Sequence, residues 1–178
     1  MSRTPATVGK PVLGYLSSVA VRALRDGVVY VFTLSTVQGE EVVFRLRIPP
    51  EWAFVGTPVS GYVVKADDFY EIQDLSEAKE LAQPRAVQVD SCEVIQVPTG
   101  LEKQAIITGR VGNAVLSAPA ISSSVAKKAE KLGFQKCVLF IAGLPTGNRV
   151  VAVQSIREFR RDSAMKRFMT TVGADEQQ

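Results

Sequence analysis

The side chains best suited to bind a ligand are basic residues in the second half of the chain. Lysine and arginine attract phosphate backbones through Coulomb forces and counterion release, which require no special spacing. Acidic residues are scarce between them, whereas ordinary surfaces mix both signs. A solvated helix surface is the alternative interpretation. Two groups stand out: Lys127, Lys128 and Lys131, and then Arg157, Arg160, Arg161, Lys166 and Arg167.

The charge of the chain is unevenly distributed. Residues 1–97 carry 9 Lys and Arg against 12 Asp and Glu, a net of −3. Residues 98–178 carry 12 against 6, a net of +6, so the overall +3 hides two unlike halves. Such asymmetry indicates an interaction with nucleic acid or with another protein.

A second candidate set lies in the first half, where two arginines are followed by two aromatic residues. Single strands bind small barrels by base stacking beside cations. Arg45 and Arg47 are predicted to point away from a barrel core, and Trp52 and Phe54 follow in a loop. The alternative for Trp52 is a lid over one open end of the barrel.

Catalytic and metal-binding patterns are missing from the sequence. The chain has no histidine, the commonest general base and transition-metal ligand. It also has no Walker loop, dinucleotide-binding glycine motif or nucleophile elbow. Asp67, Asp68, Glu71 and Asp74 could attract a hard cation, but a solvated turn explains them better. We therefore expect a non-catalytic protein without metal or cofactor.

Cellular location is predicted from what the sequence lacks. Cys92 and Cys137 are far apart, fit no zinc or disulfide pattern, and are expected to be buried thiols. No apolar run is long enough to span a membrane, and the first residues do not resemble a signal peptide. We expect a cytoplasmic protein with no membrane partner. The two asparagines hint at a thermophilic source, although ten glutamines oppose it.

The first half is predicted to be a small barrel. Strands are expected at 11–25, 28–37, 41–48, 59–65, 69–75 and 86–97, with a hairpin turn at Asp26-Gly27 and a helix at 76–83. Val42, Phe44, Leu46 and Ile48 alternate and should enter the core. Short strands joined by tight turns favour an OB-like barrel, with an SH3-like barrel as the alternative.

The second half is predicted to be a ββαββα sheet-plus-helix domain. A hairpin turns at Gly112-Asn113, and a helix is expected at 118–132, capped by Ser117 and ended by Gly133. An apolar strand follows, then a hairpin through the sequence LPTGN and a partner strand. A basic helix ends the domain, with Phe159 and Phe168 as anchors. The four strands should form one sheet.

These predictions define an α+β, β-rich protein of two domains. The expected segments are a flexible tail at 1–10, the barrel domain at 11–97, a linker at 98–100, the basic domain at 101–171 and a flexible tail at 172–178. The predicted function is binding of single-stranded DNA or RNA, because no helix-turn-helix or zinc finger is present. The alternative is a subunit of a larger complex or a homo-oligomer, held by its unlike halves.

Overall fold

The computed structural model describes residues 9–66 and 69–176, without the side chains of Phe69 and residues 170–176. Strands and two helices make up this described part. The first five strands are β1 (Lys10–Leu24), β2 (Gly27–Thr36), β3 (Glu41–Leu46), β4 (Pro58–Ala66) and β5 (Phe69–Glu77). The others are β6 (Arg85–Val89), β7 (Ser91–Thr99), β8 (Glu102–Val111), β9 (Ala114–Pro119), β10 (Cys137–Leu144) and β11 (Gly147–Ser155). The helices are α1 (Ser123–Leu132) and α2 (Ile156–Glu176).

Strands β1–β5 form a closed five-stranded ring, which we call the first ring. The order around it is β1-β2-β3-β5-β4. Neighbouring strands are antiparallel except β3 and β5, which meet in parallel at Phe44 and Tyr70. The alternation of apolar residues along each strand fills the interior. The buried core comprises Val12, Leu16, Phe32, Leu34, Val42, Phe44, Val59 and Val63.

Two glycines shape the β1–β2 pair. Gly27 has a φ of 138° and makes the predicted hairpin turn with Asp26. Gly14 lies where the backbones of the two strands are in close contact, since an added Cβ would lie 2.1 Å from the carbonyl oxygen of Ser35. The register then shifts between Leu16 and Ser18. This bulge lets the long β1 bend and pair with both β2 and β4.

The other six strands form two three-stranded sheets, β11-β10-β6 and β7-β8-β9. Only Asp90 separates β6 from β7, so the two strands follow one bent path. A parallel bridge between Ala120 and Val150 connects the end of β9 to β11. We call this arrangement the second circuit. With β6–β7 counted as one strand, its order is 1-2-3-5-4 with parallel third and fifth strands, the same as in the first ring.

Helix α1 lies between the third and fourth strands of the second circuit. It begins after Ser122, and it ends at Gly133, whose φ is 50° and whose N–H donates to the carbonyl of Ala129. Val125 and Ala129 bury its apolar face. The adjoining core contains Val89, Cys92, Ile107, Ala118, Ile121, Cys137, Val138, Leu139, Phe140, Val150, Val151, Ala152 and Val153.

The first ring and the second circuit are packed together. The side chain of Tyr15, in β1, packs in the core of the second circuit, and its hydroxyl donates to the carbonyl of Ala82 over 2.8 Å. A buried row of hydroxyl groups crosses the same seam. Ser17 and Ser35 are 2.8 Å apart, and Ser35 and Ser122 are also 2.8 Å apart. These polar groups satisfy one another at the seam, as burial requires.

The β-rich α+β class is confirmed, and most predicted strands and turns are present. The prediction of a helix at 76–83 is wrong, because β5 continues to Glu77 and the N–H of Ala78 donates to the carbonyl of Pro58. Tertiary pairing thus overrides the local helix signal. Ile48 is 89% exposed, because β3 ends at Leu46.

The second half also differs from its prediction. The helix expected from 118 begins at Ser123, since β9 stays paired with β8 as far as Pro119. Residues 98–100, predicted as a linker, lie at the end of β7 and in its hairpin with β8. The predicted single four-stranded sheet is wrong, because β6 and β7 pair with β10 and β8. Among the described residues, neither helix is both long and apolar enough to cross a membrane.

Candidate nucleic-acid interface

Helix α2 carries the second basic group and contacts both halves of the molecule. Near its start, Phe159 packs edge-on against Phe140 of β10, with ring centres 6.0 Å apart. Phe140 also abuts Gly56 of the first half, where an added Cβ would lie 2.8 Å from the ring. Farther along, the Lys166 ammonium lies 5.1 Å from the ring centre of Phe54. The helix therefore spans from the second circuit to the segment joining β3 and β4.

The start of α2 is fixed by reciprocal hydrogen bonds. The Ser155 N–H donates to Glu158 Oε1, and the Glu158 N–H donates to Ser155 Oγ, both over 3.1 Å. This is a capping box, which the spacing Ser-x-x-Glu signals in the sequence and which our sequence analysis missed. The capping box fixes the position from which Arg157 and Arg160 project.

An ion pair joins the two helices. Lys128 Nζ lies 2.9 Å from Glu158 Oε2, and both side chains are about one-third exposed. Burial acts to raise the pKa of Glu158, but hydrogen bonds from Lys128 and Ser155 and the charge of Lys128 together lower it. The pair brings the basic residues of α1 next to those of α2, while neutralising Lys128 itself.

Four predicted cations are exposed and make no ion pair within the described part of the chain: Lys127, Lys131, Arg157 and Arg160. Arg161 is also exposed, and its Nε lies 3.7 Å from the Asp162 carboxylate. Asp162 accepts a hydrogen bond from Gln154 over 2.8 Å. Lys166 and Arg167 are exposed farther along α2. Glu158 and Asp162 thus engage Lys128 and Arg161, whereas Arg157 and Arg160 remain exposed on α2 without an ion pair among the described residues.

The first-half residues are only partly brought to this surface. Phe54 is half-buried beneath Lys166, and Trp52 is half-buried against the core of the first ring. Arg45 is exposed on the outer face of β3, opposite Val31 of β2. Arg47 is exposed and lies 3.1 Å from the Asp26 carboxylate at the neighbouring hairpin turn. Phe54 therefore contacts the basic helix α2, whereas Arg47 forms an ion pair with Asp26, away from that helix.

The structure also reveals a feature that our sequence analysis missed, an open cleft of about 710 Å³ between the two halves. Its walls come from the turn after β2, the β7–β8 hairpin and the first turns of α1. Gln38, Gln96, Gln104, Lys103 and Lys127 line it. Gln38 and Lys127 are far in sequence from the β7–β8 hairpin, and no local pattern predicts that they meet it.

One carboxylate holds the start of α1 beside this cleft. Glu41 Oε1 accepts the backbone N–H of Ser124 over 2.6 Å. Burial acts to raise the pKa of Glu41, but hydrogen bonds from Ser124 and Ser122, with the charge of Lys127, together lower it. A negative group at a helix N-terminus is stabilising. Glu41 thus fixes α1 to the start of β3.

The remaining candidate residues are two aspartates, the two cysteines and Phe168. Asp67 and Asp68 lie outside the described residues, and the described part holds no group of three or more potential metal ligands. Cys92 and Cys137 are both buried thiols, as expected. Phe168 was expected to anchor α2, but it is 65% exposed, so Phe159 is the anchor of the two. No protein-family model, curated protein or solved structure matches the chain.

Proposed function

We propose that this protein binds single-stranded DNA or RNA and performs no catalysis. The observation that carries the proposal is the position of α2, which contacts both halves and leaves Arg157 and Arg160 exposed. The Lys128–Glu158 pair adds Lys127 and Lys131 of α1 to the same region. Cations gathered in this way bind phosphates through Coulomb attraction and counterion release.

The strand order supports an OB-like assignment for the first ring and also for the second circuit. Both follow the order 1-2-3-5-4 with antiparallel neighbours, apart from the parallel third and fifth strands. That is the order of a five-stranded Greek-key barrel of the OB type. In the second circuit α1 occupies the connection between the third and fourth strands, where an OB barrel carries its helix. The SH3-like alternative receives no such support.

The proposal assigns different roles to the two basic regions. Residues of α1 and α2 hold phosphates, namely Lys127, Lys128, Lys131, Arg157, Arg160, Arg161, Lys166 and Arg167. The first ring contributes Arg45 and Arg47 as further cations, with Trp52 and Phe54 as stacking surfaces at its rim. Single strands are favoured because their unstacked bases can reach such aromatic side chains. The buried thiols of Cys92 and Cys137 suit the reducing cytoplasm that we propose as the location.

Fluorescence anisotropy with labelled 15-nucleotide DNA and RNA strands and a DNA duplex tests this function. We expect single strands to bind more tightly than the duplex, and log K to fall linearly with log salt concentration. If four to six phosphates are contacted, the slope is about −3 to −4 for single strands. Absence of binding to every strand at about 50 mM salt would refute the proposal.

Exposed apolar residues favour a second candidate function, as a protein-interaction or assembly subunit. The outer face of the β7–β8–β9 sheet exposes Ile95, Val97 and Val115, each at 39% or more. Ile95 and Val97 are two residues apart on β7 and share this face, and an exposed apolar surface of this kind can mark an interaction site. Light scattering at low and high salt tests self-association. A higher mass at either salt concentration supports a homo-oligomer, and a monomer at both excludes it.

A further inference from the structure

The cleft between the two halves is lined by more polar than apolar side chains. Three glutamines, Gln38, Gln96 and Gln104, line it together with Lys103 and Lys127. Two acids, Glu102 and Glu130, balance the two lysines. Its volume of about 710 Å³ falls in the range of pockets that enclose a small molecule, roughly 300–1,000 Å³.

The chemistry of the walls matches that of a nucleotide. A glutamine amide presents a donor and an acceptor side by side, the pattern that reads an adenine edge. Carboxylates accept from the exocyclic amino group of cytosine. Lysine ammonium groups pair with the phosphate. Ala120 and Ile121 add a small apolar patch beside these groups, against which the face of a base can lie.

The cleft and the candidate interface share helix α1. Lys127 lines the cleft, and the next residue, Lys128, forms the ion pair with Glu158 of α2. Glu41 and the Ser35–Ser122 hydrogen bond fix the start of α1 against the first half. The α1 wall of the cleft is therefore fixed before a ligand binds, which reduces the entropy that binding must overcome.

We propose that this cleft recognises one base of the bound strand, whereas α2 holds the backbone without regard to sequence. The inference rests on the proposed function and adds the place where base preference arises. Its ligand is a nucleobase with its attached phosphate. Gln38, Gln96 and Glu130 read the base edge, and Lys103 and Lys127 receive the phosphate. Gln104 and Glu102 lie at the rim, because they project from the opposite face of the β7–β8 hairpin to Gln96.

The test compares labelled dA15, dC15 and dT15 by fluorescence anisotropy. The wild-type chain is expected to prefer one homopolymer by about fivefold or more, since one base contact discriminates by that order. A triple variant, Gln38→Ala, Gln96→Ala and Gln104→Ala, is expected to bind all three within about twofold, with an unchanged salt slope. The matched control changes three exposed glutamines elsewhere, Gln83→Ala, Gln88→Ala and Gln135→Ala, and should keep the preference.

The possible failures are distinguishable. If the wild type binds the three strands within about twofold, or if the triple variant keeps the preference, the cleft does not read a base while the proposed function stands. If the wild type binds none of them, the proposed function falls as well. Should the triple variant unfold, Gln38→Ala decides alone, because Gln38 is exposed in a turn. An unchanged preference in that variant overturns the inference.

Discussion

The hydroxyl groups of Ser35 and Ser122 lie 2.8 Å apart, although 87 residues separate them in the chain. Ser35 is fully buried in the first ring, and Ser122 precedes the first turn of α1. Ser17 extends the row on the other side of Ser35. A buried hydroxyl that loses its partner incurs its desolvation cost, so this contact fixes how the two halves meet.

Removing one hydroxyl from this row should destabilise the fold. We expect Ser35→Ala to lower the free energy of unfolding by about 1–3 kcal/mol, because Ser17 and Ser122 lose a buried partner. Urea denaturation measures the change. Ser76→Ala is the matched control, since Ser60 and Ser76 also pair, at 3.2 Å, but on the exposed surface. The control should change stability by less than about 0.5 kcal/mol. Equal losses in the two variants would contradict the assigned role.

Substituting the exposed arginines of α2 should weaken binding to single strands. The double variant Arg157→Gln and Arg160→Gln is expected to lower affinity about equally for every sequence and to reduce the salt slope by about 1–1.5. The control, Arg22→Gln and Arg25→Gln, removes the same charge from the exposed end of the β1–β2 hairpin. Anisotropy titrations over several salt concentrations measure both. If the two variants lose the same affinity, net charge rather than α2 determines binding.

Acidification should remove the contribution of the Lys128–Glu158 pair. The pKa of Glu158 is lowered on folding, so its charged form stabilises the folded state above the unfolded-state pKa. That stability is lost as the pH falls through the folded-state pKa. Glu158→Gln is expected to cost about 0.5–1 kcal/mol at neutral pH, because the pair is partly screened by solvent. The cost should shrink towards zero once the pH lies below the folded-state pKa of Glu158.

Urea denaturation at a series of pH values measures this difference between the wild type and Glu158→Gln. Glu130→Gln serves as the control, because Glu130 is exposed on α1 and joins no ion pair within the described ranges. Its effect should be small at every pH. A cost of Glu158→Gln that stays constant from neutral pH to below the folded-state pKa of Glu158 would contradict the pairing.

The close approach at Gly14 predicts a severe effect of one added methyl group. Gly14→Ala places Cβ against the backbone of Ser35 and Thr36, which cannot move without breaking the β1–β2 pairing. We expect a loss of about 3 kcal/mol or more, or failure to fold. At Gly143 the same change meets only Asn148 Oδ1 at 3.5 Å, an ordinary contact. Gly143→Ala should shift the melting temperature by only a few degrees, and an equal shift for Gly14→Ala would refute the argument.

Local signals in the sequence predicted much of the secondary structure. Asp26-Gly27 and Gly112-Asn113 demand backbone conformations that glycine adopts easily, so both hairpins could be read directly. The apolar run of β10 indicated a strand covered on both faces. The start of α2 could have been predicted in the same way, because Ser155 and Glu158 have the spacing of a capping box.

Pairing between distant strands could not be read in the same way. β6 and β7 follow the first ring directly in sequence, yet they pair with β10 and β8. Their alternation of apolar and polar residues is compatible with either sheet, since register depends on the partner. The cleft depends on the same long-range packing, because Gln38 and Gln96 meet only once the two halves dock.

The repeated strand order also sets the sequence of events during synthesis. Every strand of the first ring has emerged once Glu77 leaves the ribosome, so that ring can close early. The second circuit must wait for Val150, the partner of Ala120. Until then the core of the second circuit, in which Tyr15 is buried, has not formed. The nascent chain therefore exposes the apolar surface around Tyr15 while about 70 further residues are translated. Exposed apolar surface of this kind is what chaperones bind.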